Sequence, residues 1–401
     1  MQLSLFVGER KRIPTTVWIL AAGGAIAGTS EFIPAGILPE VASEFAVPVP
    51  TAGLIVSIFA LGMIVGGICS MILPARLPRK KILVFTLVTI FLGHALGAGA
   101  AEFPILLATR FFSAVAIGIY WATAGEYIVA VAPSAVRVRA LGCLVSSMLI
   151  ATVLGVPLGT MLGEKLSWRA EFYVLAGLSL VVAVILRRAL MKHEDLKPPT
   201  SAKLTARLRL IGNKGLLRAY LLVVLYQAAV MCLLTYIKPL LVSGIRLPIS
   251  SVPWALALFG IGGIVGLRLS GRFADKQPRR VLMIALFGIV CAPVALVLSS
   301  SFGVIFAVIA VFGYGLSAFM AAPSLNAAAF RHCDNDLAMA SGGNTVAFNF
   351  GNIVGPSVGG LAVAKCGIES TAVVALGVAL LAFLVAALPT YKAGVKYAGL
   401  S

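Results

Sequence analysis

Four charged residues sit inside long apolar stretches of this 401-residue chain: Glu31, Arg110, Glu126 and Lys238. A charge facing hydrocarbon costs on the order of 3 kcal/mol or more, so each must face protein or water. Glu31 and Arg110 both lie about six residues from the same end of their stretches, or ~9 Å deep at the helical rise. They are expected to face each other. A carboxyl balanced between burial and a guanidinium can exchange protons as its surroundings alternate between wet and dry; a static ion pair bridging two helices is the alternative. Glu126 lies ~160° around the helix and ~24 Å along it from Arg110, near the opposite end, where Arg137 or Arg139 could reach it. Lys238 shares a helical face with Gln227 and Met231. It either snorkels toward headgroups or faces a cavity, where it would favour electron-rich or anionic groups. Ala114, Ile117, Trp121 and Ile128 share the Arg110 face, as small and aromatic groups lining a cavity would. His94, alone on an otherwise apolar stretch, is expected to pack in the core or against lipid.

The elements that must position these residues follow from composition. The chain is 60% hydrophobic and only 11% charged, against about 25% charged for a soluble domain. Its apolar runs are long enough to cross ~30 Å of hydrocarbon as helices and lack the alternation of a transmembrane barrel. Twelve spans are expected, near 15–37, 51–73, 82–101, 105–131, 140–163, 170–190, 217–241, 252–271, 281–300, 302–325, 338–363 and 369–389. The formal charge of +18 is a topology signal: most Lys and Arg lie in the termini and the even-numbered connections. The positive-inside rule then makes both termini cytoplasmic, and nucleic acid is not an expected partner. The basic N-terminus precedes no cleavage site and reads as the lead-in to an uncleaved first span.

The chain also matches itself at an offset of 200 residues. Pro39 falls on Pro239, Phe59 on Phe259, Gly62 and Gly66 on Gly262 and Gly266, Arg79 on Arg279, and Gly155 and Gly159 on Gly355 and Gly359. Such a repeat decides the architecture. It predicts an all-α polytopic membrane protein of twelve transmembrane helices in two pseudo-symmetric six-helix bundles. Residues 1–190 form the first bundle, 191–216 a basic cytoplasmic linker holding Lys197-Pro198-Pro199, and 217–401 the second. Parallel repeats of this kind point to a transporter with its site between the halves.

Several motifs sit on this frame. Gly271-Arg272-Phe273-Ala274-Asp275-Lys276-Gln277-Pro278-Arg279-Arg280 joins the eighth and ninth spans, and Met71-Ile72-Leu73-Pro74-Ala75-Arg76-Leu77-Pro78-Arg79-Lys80 joins the second and third. The first of these resembles the signature loop of the major facilitator superfamily, Gly-x-Leu-Ala-Asp-Arg-x-Gly-Arg-Lys; the second lacks the aspartate. Leu106-Leu107 before Arg110 resembles the family's Leu-x-x-x-Arg motif. Ala151, Gly155, Pro157, Gly159 and Gly163 in the fifth span, followed by Trp168-Arg169, resemble the glycine–proline signature of its antiporter branch. Gly351, Gly355, Gly359 and Gly360 repeat the small-residue spacing in the eleventh, a spacing that lets backbones approach closely. Gly28-Thr29-Ser30-Glu31-Phe32-Ile33-Pro34 is similar to bacterial chloramphenicol exporters and arabinose or sugar efflux permeases, and Tyr236-Ile237-Lys238-Pro239 to the arabinose group.

The resemblance implies a secondary transporter of the bacterial inner membrane, exporting a small amphiphilic, chloramphenicol-like molecule in exchange for protons. A sugar efflux permease or a proton-independent facilitator is the alternative, and a receptor that has lost transport a more distant one. It implies a site lined by spans one, four, seven and ten, with Glu31 and Arg110 coupling protons and Trp121, Gln227, Tyr236, Lys238 and Asn326 meeting substrate. Gly155, Pro157, Gly159, Asp275, Arg279, Gly355 and Gly359 would serve conformational change. The expected partners are substrate, protons and the lipid bilayer, and the expected state is a monomer. No phosphate-binding Gly-x4-Gly-Lys loop, paired catalytic carboxylates, His cluster or Cys-x-x-Cys motif is present, so no enzyme activity, cofactor or metal is expected.

Overall fold

Apolar segments of this length must satisfy their backbone internally, which selects helices. The computed structural model describes residues 13–72, 77–133, 136–190, 213–274, 276–330 and 337–388. Among them are eleven helices long and apolar enough to span a membrane, and a bent pair, Thr15–Phe32 with Pro34–Glu44, that makes the twelfth. The others are Val49–Ser70, Arg79–Ala98, Phe103–Val131, Arg139–Lys165, Trp168–Leu190, Lys214–Thr235, Ile249–Phe273, Pro278–Phe302, Val304–Ala328, Gly342–Cys366 and Ser370–Ala387. They are numbered here as the first to twelfth spans. We call the end carrying the 165–168 turn distal and the end at which the described chain begins and ends proximal. Most of the expected linker lies outside the described residues.

Proline chemistry shapes three spans. Pro34 has no N–H to continue the ladder, and the first span bends there by 51°. In the fifth, Ala151–Gly155 is a π-helical turn that ends two residues before Pro157. In the seventh, the regular helix ends at Thr235, and Pro239 precedes a second π turn, Leu240–Gly244. Such turns occur often at functional sites.

The spans pack in two matching sets. The first packs on the fifth and the seventh on the eleventh, while the second packs on the fourth and the eighth on the tenth. At the second–fourth crossing, the carbonyls of Phe111 and Val115 fill the space a Cβ would need at Gly62 and Gly66. Phe312 and Leu316 do the same at Gly262 and Gly266. The repeat is therefore a repeat of close backbone crossings. Each set has its own core, one around Leu83, Leu106 and Tyr120, the other around Val223, Leu282 and Tyr314. Phe85, Phe112, Ile284, Phe287 and Val373 are exposed on the outer faces, an apolar surface that only lipid would solvate well.

The sets meet where the second span packs on the eleventh, the fifth on the eighth, and Pro34–Glu44 on the chain around Lys238. A small apolar plug of Leu38, Ala42, Ala52 and Tyr236 closes the distal end of this seam. Trp121, Gly125 and Asn326, on the proximal side, keep partial exposure.

Candidate functional site

The bend at Pro34 creates the first part of the site. A proline at this position cannot donate to the carbonyl four residues back, which is Ser30, and Arg110 takes that oxygen. Its Nη2 donates to the Ser30 carbonyl at 2.7 Å and its Nη1 to Ser30 Oγ at 2.8 Å. The guanidinium lies 4.3 Å above the centroid of Phe59, a cation–π contact that substitutes for some of the lost hydration. His94 completes the cluster. Its Nδ1 lies 2.8 Å from the Ile90 carbonyl, which only accepts, so Nδ1 carries the proton. Nε2, 2.9 Å from Ser30 Oγ, then accepts from that hydroxyl, which itself accepts from Arg110. The three residues form one directed chain, with His94 buried and neutral. Its setting is core, as one of the two expected packings had it, with polar partners that an apolar span does not advertise.

Glu31 turns the other way. Asn352 Nδ2 donates to its Oε1 at 3.3 Å, and Gln227 Nε2 donates to Asn352 Oδ1 at 2.7 Å. The carboxyl is thus held from the eleventh and seventh spans, across the seam between the two sets. The expected face-to-face pair with Arg110 does not form as a direct contact: Arg110 is committed to Ser30, one residue earlier, and acts on Glu31 through space. Both terminal nitrogens of the guanidinium are taken by Ser30, and the Nε, buried without a partner, does not reach the carboxylate either.

Lys238 does not snorkel. It is fully buried, and its Nζ donates to the Gly36 carbonyl at 2.9 Å and to Glu40, with Glu164 Oε1 at 3.5 Å. The helix break after Thr235 and Pro239 turns this side chain inward, into a socket built by the first and fifth spans. Beside it the Tyr236 hydroxyl donates to the Pro356 carbonyl at 2.9 Å, and Ser57 and Ser357 join across the seam at 3.2 Å. The Trp-Arg tail reinforces the same end. Trp168 Nε1 donates to Glu44, and Arg169 donates to Glu44 Oε1 at 2.7 Å and to the Ala98 carbonyl at 2.5 Å.

The remaining candidates spread along the seam rather than meeting at one point. Trp121 lies against Gly24, at the first–fourth contact. Asn326 accepts from Asn344 on the proximal side of the second set. Glu126 pairs with Arg79 at 3.1 Å, not with Arg137 or Arg139, because the third span begins beside it. Gly155 abuts Thr29 and Gly159 abuts Glu171, while Gly355 abuts the backbone of Ala228 and Cys232, and Gly359 abuts Cys232 and Tyr236. Arg279 donates to the Ala387 carbonyl at 3.0 Å. Asp275 lies outside the described residues.

Three further ionisable groups gather around Arg110 and Lys238, namely Glu40, Glu164 and Glu171, while Arg79 joins Glu126 at the proximal end. Glu171 is the most telling, fully buried near the start of the sixth span with neither oxygen hydrogen-bonded. Trp168, Glu171, Phe172 and Leu175 share the i, i+3, i+4, i+7 spacing of a buried stripe, the one signal that could have singled it out. Glu40 and Glu164 lie where span ends cannot be read to the residue. No cluster of three His, Cys, Asp or Glu suited to a metal occurs among the described residues.

A family model described as Major Facilitator Superfamily matches residues 20–338. A chloramphenicol resistance protein of Streptomyces lividans is 35% identical over 68% of this chain and 70% of its own. A probable sugar efflux transporter of Helicobacter acinonychis is 29% identical over 69% and 70%. Among solved structures, a variant of the nucleoside transporter NupG superposes with a TM-score of 0.75 at 14% identity, covering 92% of this chain and 98% of its own.

Proposed function

Because the chain belongs to the Major Facilitator Superfamily of membrane transporters, we propose that it exports a small amphiphilic molecule of the chloramphenicol kind in exchange for protons. The observation that carries this reading is the placement of Glu31. It is the carboxyl that both halves hold through neutral amides: the first span supplies it, and Asn352 and Gln227 on the other side fix it, whereas Glu40 and Glu164 are tied across the seam to Lys238. Any relative movement of the halves must change its hydrogen bonding and hydration. A carboxyl so placed gains or loses a proton as the halves rock, which ties proton movement to alternating access.

Substrate would lie along the seam on the open side of Glu31. Trp121 supplies an aromatic wall there, and Gln227, Asn326 and Asn352 offer amide groups that suit a neutral, hydroxyl-bearing amphiphile. Lys238 and Tyr236 belong to the closed end and would meet substrate only after it opens. The amides equally suit a sugar, and likeness to a sugar efflux transporter keeps that substrate as the second reading. With both termini in the cytoplasm, as the basic connections imply, the distal end that the apolar plug closes is extracytoplasmic.

The test is growth of an efflux-deficient bacterium expressing the protein, against a panel of amphiphilic antibiotics and toxic sugars. Export of amphiphiles predicts protection against chloramphenicol-like compounds that Glu31→Gln removes. Protection restricted to sugars would favour the second reading, and no protection from either class would remove both.

A further inference from the structure

Lys238 and its socket hold more acid than base. The fully buried cations of this region are Arg110 and Lys238. Around them stand Glu31, Glu40, Glu164 and Glu171, and His94 is neutral by its hydrogen bonds. Glu40 and Glu164 engage Lys238, and Glu31 accepts from Asn352. Glu171 is left over. Its side chain fills the space beside Gly159, is buried to 2% exposure, and has no hydrogen-bond donor at either oxygen. An ionised carboxylate buried this way is strongly disfavoured, whereas the protonated acid is tolerated.

The elements around Glu171 define what it responds to. The third span brings His94, the first Glu31 and, beyond its bend, Glu40 and Glu44; the fifth brings Glu164 and Lys165, the fourth Arg110, and the sixth itself Arg169. Lys238 is the one charge in this set that comes from the other half, and it lies within electrostatic reach of Glu171. A depression of about 420 Å³, lined by Pro39, Glu40, Ser43, Glu44, Gly163, Ser167 and Trp168, opens above the socket at the distal surface. When the halves part at this end, Lys238 leaves, and the space it vacates joins that depression to the carboxyls beneath.

We propose that Glu171 is a second proton-exchanging carboxyl, distinct from Glu31, and that the distal end closes only when Glu171 has taken a proton from distal water. In the open state the carboxyl is hydrated and ionises. On closure one proton moves from water to a Glu171 oxygen, Lys238 enters its socket, and the mouth seals; re-opening reverses the step. The inference rests on the reading of the protein as proton-coupled, but it concerns closure and needs no substrate. The sign follows from linkage. The closed state binds one more proton, so raising pH favours the open state, by up to tenfold in the closed-to-open ratio per pH unit while Glu171 is the titrating group.

The test uses the full chain in lipid nanodiscs, its six cysteines replaced and spin labels placed through cysteines at Leu166 and Ile249. These exposed positions lie in opposite halves of the distal end. Distances between the labels are read from about pH 5 to about pH 9. The wild type should pass from a short to a long distance as pH rises. Glu171→Gln, neutral at every pH, should stay short throughout, and Glu171→Asp should restore the response. A wild-type response that survives in Glu171→Gln would overturn the proposal, as would a wild type insensitive to pH. Disappearance of the response in Glu31→Gln but not in Glu171→Gln would assign the closing proton to Glu31 instead. A response that vanishes only in Glu171→Gln, in a protein whose export proves independent of any proton gradient, would sink the antiport reading and leave this one standing.

Discussion

The two halves share a frame and differ in chemistry. Where the first half has Ser30 and Glu31, the second, 200 residues on, has Val230 and Met231. His94 corresponds to Val294 and Glu171 to Thr371. Arg110 corresponds to Ala310 by the simple offset, or to Val311 if the fourth and tenth spans are aligned on the carbonyls that meet Gly62 and Gly262. The second half answers with amides, Gln227, Asn344, Asn349 and Asn352, and, among the described residues, one buried cation, Lys238. The repeat therefore preserves backbone approach and, among the described residues, places nearly all buried acidic and basic side chains in one half. The other half holds that chemistry through Asn352 and covers it through Lys238. Rocking one half against the other then changes the surroundings of charges that do not themselves travel between halves.

This asymmetry can be broken at several points. Arg110→Ala carries the largest effect on the fold. It removes two charge-assisted hydrogen bonds and leaves the Ser30 carbonyl, freed by Pro34, buried without a donor. A loss of about 2–4 kcal/mol is expected, read as a lowered thermal midpoint in detergent, together with loss of transport. Arg110→Lys should recover only part of both, since an amine cannot reproduce the forked contact.

Lys238→Met should act on the balance of states more than on the fold. It keeps the bulk of the socket filled but removes the amine from Gly36, Glu40 and Glu164. The distal end should open more often, read as faster labelling of a cysteine placed at Ala42 in the apolar plug. Unchanged labelling would mean that the plug alone seals the end.

Glycine substitutions give the smallest effects and separate the halves again. Gly159→Ala sets a methyl against the Glu171 carboxyl, whereas Gly359→Ala meets the Cys232 sulfur at 2.8 Å. Overpacking of about 1–3 kcal/mol is expected at each, but only Gly159→Ala should disturb the pH response of the distal end. Gly177→Ala, with no neighbour within 4 Å, is the neutral control. Equal pH effects at Gly159 and Gly359 would show that general crowding, not the carboxyl, is being measured.

Span number and the tandem repeat were legible because hydropathy and glycine spacing are periodic along the chain. Of the glycines that recur at the repeat offset, Gly62, Gly66, Gly262 and Gly266 meet backbone in both halves. The bend at Pro34 was legible as a proline but not as a bend, and its consequence, a free Ser30 carbonyl, depends on which side chain can reach it from the fourth span. Depth counting brought Glu31 and Arg110 to one level but not to one bond, since it carries no information on rotamer or on competing acceptors. Lys238 was ambiguous for the same reason: residues near a span end can reach headgroups or a partner, and only packing selects. Glu171 was hidden by position, a carboxylate in a first helical turn being ordinarily a surface residue that favours the helix dipole.

The central claim is that Glu31 carries the proton that drives export, and lumenal pH in everted vesicles tests it most directly. Vesicles with an acidic interior present the cytoplasmic face outward, so exported substrate enters the lumen and the exchanged protons leave it. Adding a substrate identified by the growth panel should make the wild-type lumen more alkaline. The Glu31→Gln protein, inserted to the same level, should give no such signal. Equal lumenal alkalinisation by both would contradict the account and remove Glu31 as the coupling residue.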